Sequence, residues 1–501
     1  MSGVVDSEIK EYTPPVFDQV LGHPKPLWML FMAEFWERFA FYGIRWAMVL
    51  YIVAQFHGGT GEGEKPASEL YGAYLALVYA GAIFGGYVAD RLIGFQRSIL
   101  TGAVIMAIGF FMFAVPNEEI FKLGLATIIV GNGLFKPIIS TMVGQLYATS
   151  DQRRDSGFTI FYMGINIGAM IAPVITQILA QRYFGTSDTP AYKVVFITAG
   201  IGMIISLFWF WMGRSQLKGI GAAQPGSGMS RVLGVVIVGA LVGIPLFYFL
   251  LTINALYLQY LLMGLIVIPA VMLLRESIQE GTVARDKVLA MLSIFFFNVL
   301  FWMFFEQAGS SFNFLADKIV DRNLSGWEFP VAWFQSVNSV AIITLAPVLA
   351  WLWVRMGKSN PSIPRKFGLG LIFNGLAFFL LMYSLRNLVD PVTMMIPFWT
   401  LFAVYVIQSI GELCLSPIGL SMTTKLAPSK LGGLAMGCWF LSIAIGNNLA
   451  GIFAGSVSGE GGMTAESALS GYTFGFYALV GAGILMFLIA PLIQKLMHGV
   501  K

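Results

Sequence analysis

The sequence predicts an all-α polytopic membrane protein of fourteen transmembrane helices, built as two six-helix bundles with a two-helix hairpin inserted between them. Three observations predict this class. Apolar segments of about 18 residues or more recur along all 501 residues, each long enough to cross a hydrocarbon core of about 30 Å. The runs are continuous and do not alternate, which argues against a membrane β-barrel. Charged residues make up only 11% of the chain and hydrophobic residues 57%, whereas a soluble domain carries about a quarter and a half.

Taken in order, residues 1–28 are polar and Pro-containing and read as a cytoplasmic N-terminal segment. No secretory leader is expected, because the first apolar stretch contains EFWER where a leader has a clean hydrophobic region. The fourteen expected spans are 29–55, 69–89, 97–115, 121–148, 154–183, 192–213, 231–252, 255–274, 287–316, 328–354, 365–386, 395–424, 430–456 and 470–496. The N-terminal bundle covers 29–213 and the C-terminal bundle, with a short cytoplasmic tail, 287–501. Between them, 214–286 holds a linker, GIGAAQPGSGMS (Gly219–Ser230), and the hairpin, which turns at Ile253-Asn254-Ala255.

Lysine and arginine set the orientation. With the N-terminus inside, 20 of the 30 Lys and Arg fall on cytoplasmic segments and 7 outside. Outer loops such as GEGEKPASE (Gly61–Glu69) and SGEGG (Ser458–Gly462) are acidic instead. A multi-pass protein of the cell (inner) membrane with both termini cytoplasmic is expected. The two halves also echo each other. GNGLFKPIISTMVGQL (Gly131–Leu146) aligns with GELCLSPIGLSMTTKL (Gly411–Leu426), with Pro137 and Pro417 in register. Parallel repeats of this kind build transporters with a site between the halves, and each proline favours a bend.

An ionised side chain at mid-bilayer costs about 2.5–3.5 kcal/mol on insertion scales, so it faces a partner or a watery cavity. Seven stand out: Glu34, Glu37, Arg38, Arg45, Lys136, Glu306 and Glu412. At about 100° per residue, Glu34, Glu37, Arg38, Tyr42 and Arg45 share about 140° of arc on the first helix. Arg45, Lys136 and Glu412 each lie about 22–24 Å into their helices, near mid-span. Four acids and three bases leave a formal charge of −1, so one added proton makes the set neutral. A carboxylate that changes partners during a conformational change would take up and release that proton. His23, His57 and His498 lie outside the expected helices and read as solvated loop residues. Cys414 and Cys438 read as buried thiols without a disulfide.

These residues carry a family resemblance. EFWERFAFYG (Glu34–Gly43) resembles the E-x-x-E-R-F-x-Y-Y-G signature of the proton-dependent oligopeptide transporter family of the major facilitator superfamily. FYMGINIGAM (Phe161–Met170) resembles that family's F-Y-x-x-I-N-x-G signature, and GGYVADRLIGFQR (Gly85–Arg97) the superfamily's loop between helices two and three. FWMFFEQAGSS (Phe301–Ser311) and GELCLSP (Gly411–Pro417) also fit. The resemblance implies the major facilitator superfamily fold, with the extra hairpin of bacterial members. It also implies proton-coupled import of di- and tripeptides by alternating access. Glu34, Glu37, Arg38 and Glu306 would couple protons, and Arg45–Glu306 and Lys136–Glu412 would form gate salt bridges. Arg45 and Lys136 would hold the peptide carboxylate. Glu412, Asn166 and Asn338 would hold the ammonium. Tyr42, Tyr79, Trp302, Ser416 and Trp439 would line the cavity. Two departures appear. Phe41 replaces the first Tyr of the Tyr-Tyr pair, which is expected to remove a hydroxyl contact, and Gly72 stands where animal relatives carry a histidine.

Expected partners are short peptides and the lipid bilayer, with the chain working as a monomer. No cofactor beyond protons, no metal and no nucleic acid is expected. The rival of the same fold carries another small solute, such as an amino acid, nitrate or a drug-like zwitterion. Opposite charges at Lys136 and Glu412 suit a zwitterion better than an anion. An ATP-driven pump is disfavoured, since Gly357-Lys358-Ser359 has Leu352 where a phosphate-binding loop needs its first glycine. An enzyme is disfavoured by the lack of HExxH, GxSxG or CxxC.

Overall fold

The computed structural model of the protein describes residues 12–148, 150–186, 189–223 and 228–500. Residues 1–11 of the N-terminal segment and 224–227 of the linker thus lie outside the described residues. Among the described residues, fourteen helical spans are long and apolar enough to cross a membrane. Ahead of the first span, β1 (Gln19–Val20) pairs with β2 (His23–Pro24).

The N-terminal half comprises α1 (Lys25–Gly43), α2 (Arg45–Phe56), α3 (Glu64–Val88), α4 (Phe95–Met112), α5 (Glu118–Gln145), α6 (Arg154–Ile178) and α7 (Tyr192–Gly213). The hairpin is α8 (Met229–Thr252) and α9 (Ala255–Glu280). The C-terminal half comprises α10 (Thr282–Phe305), α11 (Ser311–Lys318), α12 (Trp333–Met356), α13 (Ile363–Asn387), α14 (Phe398–Leu426), α15 (Gly432–Ser458) and α16 (Ala465–Leu496). In the first half α1 packs on α6 and α7, and α4 on α5. In the second, α13 packs on α14 and α16, and α10 on α15. The halves meet where α3 runs along α15 and α6 along α12. The hairpin touches both, through α8 on α5 and α9 on α15 and α10.

Five expectations are corrected. First, the 29–55 span is two helices, because Gly43 ends α1 and Ile44 caps it at φ −86°, ψ −16°. Second, the 287–316 span begins at Thr282 and breaks at Glu306–Gly309, a single 3₁₀ turn. Third, Glu64 is not a loop residue: it opens α3 and is fully buried. Fourth, the 328–354 span starts at Trp333. The preceding residues instead form β3 (Val320–Asp321), β4 (Asn323–Leu324) and β5 (Trp327–Glu328). β4 and β5 turn at Ser325-Gly326, and β3 pairs in parallel with β6 (Ile396–Pro397). Fifth, His23 is not solvated. It is 9% exposed and its Nδ1 lies 2.8 Å from the Tyr147 hydroxyl. Burial pushes that phenol up to about 12, so it remains protonated.

Each break keeps its backbone satisfied, as a hydrocarbon surrounding requires. At the second, Gln335 Nε2 donates to Ala308 O at 3.2 Å and Asn313 Nδ2 to Gly309 O at 3.1 Å. Gln307 Nε2 donates to both Met303 O and Ala450 O. Aromatic clusters fill the core away from the N-terminal end. Tyr51, Phe113, Phe121 and Phe196 form one in the first half. Phe304, Phe312, Phe378 and Tyr472 form its counterpart in the second. Cys414 and Cys438 are buried, free thiols.

Candidate functional site

The first helix supplies the densest charge. On α1, Arg38 Nε lies 3.2 Å from Glu34 Oε1, and the same guanidinium pairs with Glu37. All three side chains are buried. Asn132 of α5 reaches the group from another helix, its Nδ2 donating to Glu37 Oε1 at 3.3 Å. Glu34 Oε2 is buried without a partner among the described residues. Phe41 does not face open space: its ring stacks near Tyr74 and lies 5.1 Å under the Arg38 guanidinium. It therefore shields the cluster, and the expected loss of a substrate-facing hydroxyl does not describe its setting.

One helical segment further on, Arg45 opens α2. Its Nη2 lies 2.6 Å from Glu306 Oε2, and its Nε donates to the Tyr71 hydroxyl at 2.9 Å. Glu306 sits on the break between α10 and α11, so this pair ties the two halves together. The second expected pair, Lys136–Glu412, is not formed. Lys136 Nζ lies 4.3 Å from the centroid of the Tyr79 ring, a cation–π contact. Glu412 instead accepts from Asn338 Nδ2 at 3.1 Å, and that amide also reaches Ser409 Oγ at 2.9 Å. The base and the acid thus each keep to partners in their own half.

A vestibule of about 1150 Å³ lies between α5 and α6 on one side and α14 and α15 on the other. Its walls include Pro137 and Ser140, and Pro417 and Ser421, the two echoed segments. It opens at the N-terminal end of the bundle, past Tyr147 and Arg154. Lys136 and Ser416 are the chain neighbours of its two prolines, and the Ser416 hydroxyl has no partner among the described residues. Tyr42 lies beside Arg45, its ring 5.9 Å from the guanidinium. Asn166 spends one amide hydrogen on Tyr162 O in its own helix. Trp302 is tied to Asn298 Oδ1 at 3.0 Å. Trp439 is corrected as a lining residue: it is 2% exposed, wedged against Phe295, Phe367 and Gly419, while Met436 and Phe440 take the vestibule wall.

The far end is shut. Glu64 accepts from the Met463 amide at 2.8 Å and pairs with Lys318, joining α3 to the second half. Ala332 N donates to Gln177 Oε1 at 2.6 Å, and Ser336 Oγ to Met170 O at 2.7 Å. At Gly72 an added Cβ would stand 2.6 Å from Gly451 Cα, so no imidazole fits there in this state. Glu64, Lys318, Tyr71 and Asn132 are the participants that sequence reasoning missed. Glu64 sat in a segment read as an acidic loop. Asn132 was visible as an amide amid the apolar residues of GNGLFKP.

A model of the POT family matches residues 96–464. The chain is 35% identical over 489 residues to an uncharacterized transporter, YclF, of Bacillus subtilis, covering 96% of each chain. It is 33% identical to the peptide transporter YePEPT of Yersinia enterocolitica, over 96% of each. It is 32% identical to the dipeptide and tripeptide permease B of Aliivibrio fischeri, over 95% of this chain and 96% of that one. Among solved structures it resembles a peptide transporter POT in complex with sulfate, with a TM-score of 0.83 at 33% identity over 97% and 98% of the two chains. It also resembles a POT family transporter in complex with 5-aminolevulinic acid, with a TM-score of 0.81 at 30% identity over 95% and 98%. A two-half helical bundle, open at one end and charged at its centre, with relatives aligned over nearly its whole length, therefore belongs to the POT family.

Proposed function

We propose that the protein is a proton-coupled symporter that imports di- and tripeptides by alternating access across the cell membrane, with both termini cytoplasmic. The observation that carries this reading is that Lys136 and Glu412, one and five residues before the vestibule prolines Pro137 and Pro417 of opposite halves, form no ion pair with each other. A zwitterionic peptide needs a cation for its carboxylate and an anion for its ammonium, and it can span the gap between them. Asn338 and Asn166 supply amides for the peptide main chain, which is common to all peptides. The apolar walls at Phe158, Leu420 and Met436 suit variable side chains.

In this reading the structure is the inward-facing state, with Arg45–Glu306 and Glu64–Lys318 closing the outer side. The Glu34–Glu37–Arg38 cluster holds one more acid than base, so it is the place where a proton is taken up and released. Dialanine uptake into proteoliposomes, with and without an inward proton gradient, tests the reading. Gradient-driven accumulation is expected. Glu37→Gln should abolish accumulation while leaving exchange, and Glu412→Ala should weaken both. Absence of dialanine uptake under every gradient would overturn the peptide assignment. The relative bound to 5-aminolevulinic acid favours a second reading, a non-peptide zwitterion, for which the same charges would serve.

A further inference from the structure

A second polar cavity, of about 320 Å³, lies where the α12–α13 connection meets the end of α16, and it shares no lining residue with the vestibule. The connection between α12 and α13 curls around it, and Gln494, Met497 and Val500 of α16 and the tail close it. Its lining includes Lys358, Arg365 and Lys366 and no acidic residue. Lys358 and Arg365 form no ion pair among the described residues. The Ser362 hydroxyl at the cavity is buried without a hydrogen-bond partner among the described residues. Three cations drawn around one hollow repel one another, and no carboxylate among the described residues pairs with Lys358 or Arg365. The missing charge is an anion with several acceptor oxygens.

Its depth narrows the chemistry. The last turns of α12 carry Trp351 and Trp353, and Trp351 is 58% exposed. Tryptophans at the end of a membrane helix sit at the headgroup level. Arg355 lies 5.2 Å over the Trp351 ring and Lys366 4.8 Å over that of Trp353, so the cations lie at that level too. Pro361, Ile363, Pro364 and Met497 give the cavity an apolar side. We propose that it binds the phosphate of an anionic phospholipid headgroup, clamping the α12–α13 connection to the end of α16. Basic pockets between membrane helices on a cytoplasmic face take such headgroups by the same physics.

The test uses the full-length protein in detergent, followed by tryptophan fluorescence on heating. Phosphatidylglycerol, phosphatidylcholine and inorganic phosphate are added separately. Phosphatidylglycerol should raise the midpoint by about 2–4 °C, as a ligand selective for the folded state does. Phosphatidylcholine, whose choline carries a compensating positive charge, should do much less. The rise should vanish in Lys358→Gln/Arg365→Gln and persist in Arg275→Gln/Lys287→Gln, which removes equal charge elsewhere at the same end. An equal response to phosphatidylcholine, a rise retained without Lys358 and Arg365, or a rise lost in the control pair would overturn the site. Inorganic phosphate reproducing the whole effect would overturn the lipid assignment. If the double variant does not fold, Lys358→Gln alone is compared by native mass spectrometry. Unchanged phosphatidylglycerol adducts relative to wild type would then overturn the proposal.

Discussion

Arg45 shows why a charged partner was legible and a neutral one was not. A guanidinium inside an apolar run stands out because leaving it unpaired in hydrocarbon costs several kcal/mol, so the sequence had to provide an acid within reach. Glu306 was one of few available, and it is the partner found. Tyr71 was not visible in this way, since a tyrosine in a membrane helix is commonplace, and the same holds for Asn132 beside Glu37. Arg45 uses one planar group for both Glu306 and Tyr71, with Nη2 and Nε pointing in fixed directions. Lysine has one point donor group on a flexible stem and cannot reproduce that fork. Arg45→Lys should therefore retain the charge yet lose one charge-assisted hydrogen bond, worth about 1.5–3 kcal/mol. Gradient-driven dialanine uptake should fall about tenfold or more at unchanged surface expression. Wild-type uptake from Arg45→Lys would show that charge alone closes the pair.

At the scale of elements, hydropathy marked fourteen spans because a bilayer demands length and apolarity, and the described residues form fourteen. Hydropathy cannot register where a helix breaks, since Gly43 and Gly309 are as acceptable in a membrane helix as alanine. The break at Glu306–Gly309 is legible only in three dimensions. There the Tyr71 ring presses on Gly309 so closely that a Cβ at that position would overlap the phenol. The ring belongs to the first half and the glycine to the second, so the contact exists only while the far end is closed. Gly309→Ala should thus weaken closure rather than folding. Uptake should drop severalfold while the purified protein keeps its monodisperse elution and melting midpoint. In Tyr71→Ala the added methyl has room, so Gly309→Ala/Tyr71→Ala should transport no worse than Tyr71→Ala alone. Additive losses in the pair would separate the two residues, because sites in contact are expected to be non-additive.

Across the whole molecule, one end is open and the other is sealed by small contacts from several helices. Two kinds of closure differ in how they respond to water. Gly72 against Gly451 is pure backbone packing, while Glu64 is a fully buried carboxylate that spans the halves. Its oxygens receive the Met463 amide and pair with Lys318, whose side chain is 39% exposed. Opening the far end must hydrate Glu64, which recovers part of the lost pairing, and Lys318 is already half in water. The pair therefore biases the closed state without locking it. Removing one partner of a fully buried pair costs about 3–5 kcal/mol. Here the bias should be smaller, about 1–2 kcal/mol, or a 5–30-fold change in the ratio of closed to open. Glu64→Gln retains an acceptor for Met463 and removes the charge pairing. Spin labels at Gln55 and Val392, exposed positions of opposite halves at the far end, report the separation. Wild type should show one predominant short distance, and Glu64→Gln a second, longer one whose share grows by that factor. Lys318→Gln should shift it at least as much, because the buried Glu64 carboxylate keeps the Met463 amide but loses its counter-ion. A distance distribution unchanged in Glu64→Gln would mean that backbone packing alone holds the far end shut.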